Sequence, residues 1–324
     1  MVSCVLLFSC KSDQKSDMQA NNQMTTDPIL VGMIKASEDA PNDINILLEK
    51  ASYLYENDQY ELALKDIEKA ISIDSVNWDL YHFKADILLD YYRSKEAIET
   101  LEYVLDQEPT RISTLLKLAE FHHILKEYDK SISAINEVIR LQSYNPEAFF
   151  MLGMNFRAIN RMEKAKGSFL RAVELDADLT DAWIILGNIA EEQKDASAED
   201  FYKNAVHSNQ HSIEALHSLA YFLQNKDRVV EAIDLYKQIN VLDTQYEDAY
   251  LNTGILYISI DSLEKAKEHF QILKKINPAN PFGYYYSGLA EEYSGNPERA
   301  KSEFENALRL KPDYQKAREA LAKY

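Results

Sequence analysis

Residues 247–280 read EDAYLNTGILYISIDSLEKAKEHFQILKKINPAN, with Tyr250, Gly254, Tyr257, Ala266, Phe270 and Pro278 as landmarks. Their spacing predicts two helices folded back on each other. Gly254 and Ala266 are small where the two axes must approach, and Tyr250, Tyr257 and Phe270 fill the groove beside them. Pro278 lacks an N–H and cannot extend the second helix, so the chain turns there. One such hairpin cannot bury its own apolar face, but a stack of them can.

The layout recurs in both directions. Residues 281–314 place Tyr284, Gly288, Ala300, Phe304 and Pro312 in the same register; residues 146–179 place Phe149, Gly153, Ala165 and Phe169 there. Eight units follow one another: 44–77, 78–111, 112–145, 146–179, 180–212, 213–246, 247–280 and 281–314, the fifth being one residue short in its 194–196 turn. The third carries Ser131 where the others have alanine. The closing proline is absent from the units ending at Asn77, Asn145, Leu179, Ser212 and Tyr246.

This pattern resembles the tetratricopeptide repeat family from residue 44 to 314. The resemblance implies an all-α chain of the α-α superhelix class, a solenoid of eight helical hairpins. Residues 315–324 continue as a capping helix, with Ala317, Ala320, Leu321 and Tyr324 on one stripe and charged residues outward.

The chain has 324 residues, 35 basic against 53 acidic, a net charge of −18. Phosphate binding needs a basic surface, so nucleic acid is excluded as a natural partner. Both cysteines, Cys4 and Cys10, lie in the first ten residues, MVSCVLLFSC, so no disulfide framework supports the repeats. Leu7, Ser9 and Cys10 resemble the end of a bacterial lipoprotein signal, a resemblance that makes Cys10 the lipidated first residue and the membrane a partner only through that lipid anchor. The apolar stretch is short and no Lys or Arg precedes it, as a start codon placed too far downstream would explain; the competing reading is the frayed N-terminus of a cytosolic protein. Residues 11–43 are expected to form a linker. Its first part, KSDQKSDMQANNQMTTD, is too polar to offset its ordering entropy, and the apolar patch 29–34 either docks on the first repeat or forms part of a loose tether. Asp43 is the expected N-cap of the first repeat.

No chemistry declares itself. His122 and His123 are adjacent and point to different helix faces; there is no HExxH, no phosphate-cradling glycine loop and no cysteine ligand set. The expected protein therefore has no catalytic residue, no metal and no cofactor, and acts through a surface. In the family, the first helix of each pair lines a concave groove that binds peptides or protein segments. The residues expected to face it are Glu49, His82, Asp86, Asp90, Lys117 and Glu120, then Phe150, Met154, Arg157, Ile184 and Asn188, then His217, Tyr221, Leu251, Ile255, Tyr285, Leu289 and Tyr293. This groove is acidic toward its N-terminal end and aromatic and apolar toward its C-terminal end. It suits a protein or peptide segment with a basic stretch and apolar anchors. The family members that clamp a C-terminal carboxylate use Lys and Asn side chains; here the corresponding pairs are Leu48/Ser52, His82/Asp86 and Leu116/Glu120, which disfavours that activity. The expectation is a non-enzymatic scaffold in the bacterial cell envelope. A soluble cytoplasmic adaptor and an accessory subunit of an enzyme acting on cell-wall polymer remain as alternatives.

Overall fold

The structure, a computed structural model, describes residues 27–324. The lipoprotein-like segment, Cys10 and the linker up to residue 26 lie outside the described residues. Within them the chain is eighteen helices. Helix α1 (Pro28–Asp39) comes first, and eight hairpins follow, each made of an A helix and a B helix. They pair α2 (Ile44–Glu56) with α3 (Tyr60–Ile73), α4 (Trp78–Asp90) with α5 (Ser94–Gln107), and α6 (Ile112–Ile124) with α7 (Tyr128–Leu141). Next come α8 (Pro146–Ala158) with α9 (Met162–Leu175), α10 (Thr180–Glu192) with α11 (Ala198–Ser208), and α12 (Ile213–Asn225) with α13 (Val229–Leu242). The last pairs are α14 (Glu247–Ser259) with α15 (Leu263–Ile276) and α16 (Pro281–Tyr293) with α17 (Pro297–Leu310); α18 (Gln315–Leu321) ends the array. The helices divide into two compact units, α1–α7 and α8–α18. In each unit every helix packs on the next, the stacked-hairpin arrangement of the α-α superhelix class.

Each hairpin is closed by one seam. The eighth residue of each A helix faces the B helix, and in four repeats it is glycine lying under an aromatic ring. A Cβ built on Gly153 would stand 2.7 Å from Phe169, on Gly187 2.5 Å from Tyr202, on Gly254 2.4 Å from Phe270 and on Gly288 2.6 Å from Phe304. Those distances leave no room for a methyl group. In the first three repeats the same two positions hold Ala51 and Ile67, Ala85 and Leu101, and Ala119 and Ile135, all fully buried. Glycine thus goes with a ring and alanine with an aliphatic chain, so the sum of the two volumes is roughly kept. The sixth repeat departs, with Ala220 and Tyr236 at these positions. Ser131, the exception among the B-helix alanines, is also fully buried; its hydroxyl donates to the Ala119 carbonyl at 2.7 Å, which removes the cost of burying it.

The A helices end alike. Asp58, Tyr92, Lys126, Asn160, Lys194, Asp227, Asp261 and Gly295 all have φ between 56° and 75°. In the first repeat Asp58 N–H bonds the Tyr55 carbonyl and Gln59 N–H the Leu54 carbonyl, the double hydrogen bond that closes a helix with a left-handed residue. The B helix then starts from the turn without a side-chain cap, whereas Asp43, Asn145, Ser212 and Asn280 cap A helices. The missing residue of the fifth repeat falls just after Lys194, and α11 has 11 residues where the other B helices have 14.

The linker expectation is corrected over its C-terminal part. Residues 28–39 form α1, capped by Asp27, whose carboxylate accepts from the Ile29 N–H at 2.9 Å and from the Tyr53 hydroxyl. α1 ends 34 residues before α3 ends, so it occupies the register of a B helix and forms, among the described residues, the half hairpin that precedes the first repeat. Leu30 and Ser37 are its buried residues. Only one apolar side chain and one hydroxyl are buried, so the helix leaves a weak hydrophobic signal in the sequence.

Two outcomes test the seam and the turn. Gly254→Ala should cost about 2 kcal/mol by overpacking, and Phe270→Leu in the same chain should recover at least about 1 kcal/mol of it; additive costs in a urea-unfolding cycle would contradict the seam. Tyr92 is 95% exposed and its φ is 61°. Replacing it with glycine should therefore raise stability by about 1 kcal/mol, the cost of a left-handed non-glycine residue, read in the same unfolding experiment.

Candidate functional site: the open faces of the A helices

In the N-terminal unit the expected groove residues largely bond to one another. His82 Nε2 lies 2.8 Å from Thr114 Oγ1, Lys117 Nζ lies 2.7 Å from Asp86 Oδ1, and the Tyr55 hydroxyl donates to Asp90. These bonds tie α4 to α6 on one side and to α2 on the other. Tyr55, a residue the sequence reasoning did not single out, thereby helps build this face; its regular partner Asp90 was legible only as an acidic residue. Burial raises the Asp86 carboxyl above its ordinary range; the Lys117 ammonium opposes this and the nearby Glu120 and Asp90 reinforce it. Glu49 and Glu120 are exposed and have no ion-pair partner among the described residues. The face is therefore an internal ladder edged by free carboxylates.

In the C-terminal unit the fifth and ninth residues of each repeat behave differently. The fifth position turns toward the packing between hairpins. Phe150 meets the Phe169 ring edge-on at 5.7 Å, Ile184 and Leu251 are half-buried, and His217 sits among Tyr221, Tyr236 and Tyr246 at 5.7–6.4 Å. Tyr285 corrects the expectation. It is 8% exposed, with ring centroids of Tyr314, Tyr286 and Phe304 at 4.9, 5.0 and 5.9 Å, so it is a core residue where α16 meets the chain leading into α18. The ninth position is more open. Asn188 and Tyr221 are exposed, and Met154, Ile255 and Leu289 are half-buried. Arg157 is also exposed, and Tyr293 is 59% exposed. Asn188 Oδ1 accepts from the Tyr202 hydroxyl at 2.8 Å, which orients its amide. The result is an apolar floor with tyrosines and amide or guanidinium groups standing above it.

Among the described residues no three metal-ligating side chains converge, and no helix is long and apolar enough to cross a membrane. His122 is 6% exposed and bonds Glu127 through Nδ1 at 2.7 Å, while His123 turns to the Tyr128 ring.

Comparison with known proteins agrees with this geometry. The tetratricopeptide repeat model matches residues 44–77 and 146–179, the bounds of the first and fourth repeats. The C-terminal part of a TPR repeat-containing protein from Cytophaga hutchinsonii superposes with a TM-score of 0.62 at 16% identity, covering 73% of this chain and 98% of that one. YrrB, described as a TPR protein with an unusual peptide-binding site, superposes with a TM-score of 0.53 at 19% identity, over 60% of this chain and all of its own. The human protein O-mannosyl-transferase TMTC1 is 26% identical over half of this chain, and the match spans 19% of the transferase. The chain carries tetratricopeptide repeats, and its fold is that of their arrays.

Burial holds the His217 imidazole below its ordinary range, Asp248 opposing only in part. A histidine depressed in the folded state favours the neutral form. Its contribution is complete above the unfolded value of about 6.5 and is lost as pH falls below it, down to the folded value. Thermal melts should accordingly show less loss between pH 7.5 and pH 5 in His217→Phe than in the parent chain.

Proposed function

We propose that the chain is a non-enzymatic scaffold that holds extended segments of partner proteins on the open faces of its A helices. The observation that carries this is the ninth-position register of the C-terminal unit, where Asn188, Tyr221 and the rim residue Tyr293 stand over half-buried Met154, Ile255 and Leu289 with solvent above them. Such a surface suits apolar and aromatic side chains of an extended segment, because burying its floor releases water and its tyrosines offer area at small entropic cost. The N-terminal unit offers Glu49, Asp90 and Glu120, which suit lysine or arginine side chains. The likeness to YrrB supports a peptide ligand by analogy of fold. The placement we propose is the bacterial cell envelope, with lipid on Cys10 as the tether.

Fluorescence anisotropy with two labelled peptides tests each face by itself. A lysine-rich peptide should bind in low salt and lose affinity at least tenfold in Glu49→Lys/Glu120→Lys. A peptide bearing two aromatic anchors should lose at least tenfold in Tyr221→Ala/Tyr293→Ala, since central aromatic contacts dominate such interfaces. Unchanged affinities with helicity intact would remove the faces as binding sites. Incorporation of labelled fatty acid that persists in Cys10→Ser would remove the anchor.

A further inference from the structure

Three positions recur in the same register of each hairpin: one on the preceding B helix, one on the A helix and one on its own B helix. Where α1 meets the first hairpin they are Ser37, Lys50 and Asp66, and the Lys50 ammonium lies 3.1 Å from the Ser37 hydroxyl and 3.0 Å from the Asp66 carboxylate. Where α15 meets the eighth hairpin they are Lys274, Ser287 and Glu303, with Lys274 Nζ 3.0 Å from Ser287 and 2.6 Å from Glu303. Lysine and serine have changed places, but the trio is the same: an ammonium held between a hydroxyl and a carboxylate. In the third, fifth and sixth hairpins the positions are filled without any polar group, by Leu105, Leu118 and Ala134, by Val173, Leu186 and Phe201, and by Val206, Leu219 and Leu235.

The seventh hairpin fits neither pattern. Its three positions hold Asn240 on α13, Thr253 on α14 and His269 on α15. Each has a buried polar atom without a hydrogen-bonding partner, Oδ1 of Asn240, Oγ1 of Thr253 and Nδ1 of His269, and Thr253 is fully buried. An unsatisfied buried polar atom costs roughly as much as a lost hydrogen bond. Here three such atoms fall on positions that, in two other junctions, converge on one lysine nitrogen.

We propose that Asn240, Thr253 and His269 form a binding site for a single water molecule, seated where a lysine ammonium sits in the two terminal junctions. Water is close to an ammonium in size, and buried waters usually make about three hydrogen bonds to groups of this kind. It donates to Asn240 Oδ1 and to His269 Nδ1, with the imidazole proton on Nε2, and accepts from the Thr253 hydroxyl. A cation is disfavoured, because the trio has no carboxylate and because the Lys237 and Lys265 ammonium groups lie 5.8 and 5.5 Å from the centre of the Tyr257 ring, itself 5.4 Å from the His269 ring. One imidazole and two neutral oxygens are also a poor donor set for a divalent metal. The groups facing His269 are Lys237 on α13, Tyr250 and Tyr257 on α14, and Glu268 on its own helix; burial and Lys237 keep the imidazole below its ordinary range, so it remains an acceptor at neutral pH.

Thr253→Val decides the matter by the sign of its effect at pH 8. If water bridges the trio, the variant loses one of its hydrogen bonds and melts about 2 °C lower, the shift expected for one lost hydrogen bond in an array of this size. If the hydroxyl is an orphan, its removal leaves the melting temperature unchanged or higher, which overturns the proposal. A second variant, Asn240→Lys/Thr253→Ser/His269→Glu, rebuilds the Lys274–Ser287–Glu303 trio one repeat earlier. Oxygen-17 magnetic relaxation dispersion should count one long-lived water fewer in it than in the parent chain, and an equal count overturns the site.

Discussion

The close approach of A and B helices within each hairpin is the constraint on which the array depends. With a Cβ on Gly254 the ring of Phe270 would be 2.4 Å away, so the ring lies where only a glycine permits it. That contact sets the distance between the two axes, and the distance in turn sets which residues reach the next hairpin. Because the same seam recurs at Gly153, Gly187 and Gly288, and in smaller form at Ala51, Ala85 and Ala119, successive hairpins have compatible shapes and can stack.

Among the described residues the stack opens on half a hairpin. α1 lies in the register of a B helix and packs on the first A helix as, within each unit, a B helix packs on the A helix that follows it. The contact is partly polar: Ser37, Lys50 and Asp66 meet where the third, fifth and sixth hairpins have leucine, valine, alanine and phenylalanine. The last full junction repeats that chemistry through Lys274. Polar trios at such positions cost little where solvent is near and impose geometry through hydrogen bonds, which apolar packing does not do by itself. The Asn240, Thr253 and His269 junction belongs to this set by position, though not by charge.

The surface that remains open follows from the same packing. An A helix has a B helix against one side, neighbouring hairpins on its flanks and one strip left over. The ninth position falls on the strip and the fifth on its margin, which is why Tyr221 is 50% exposed and Tyr285 only 8%. Both were legible from the sequence as tyrosines at helical spacing; only the stack distinguishes a rim residue from a core one.

The sequence by itself determined the repeat, its register, the identity of the seam residues and the acidic character of the chain, because each is a local periodicity or a composition and needs no partner to be read. Asp43 as a cap and Ser131 as an odd residue were visible for the same reason. Tertiary structure alone decided what depends on residues distant in the chain: that α1 docks as half a hairpin, that Asp86 and His82 bond to the next A helix, that Tyr285 is buried and that three polar side chains meet at the seventh hairpin. The physical reason is that a side chain's surroundings in a solenoid come from one repeat before and one repeat after, some 34 residues away in either direction, while its helical propensity comes from its immediate neighbours.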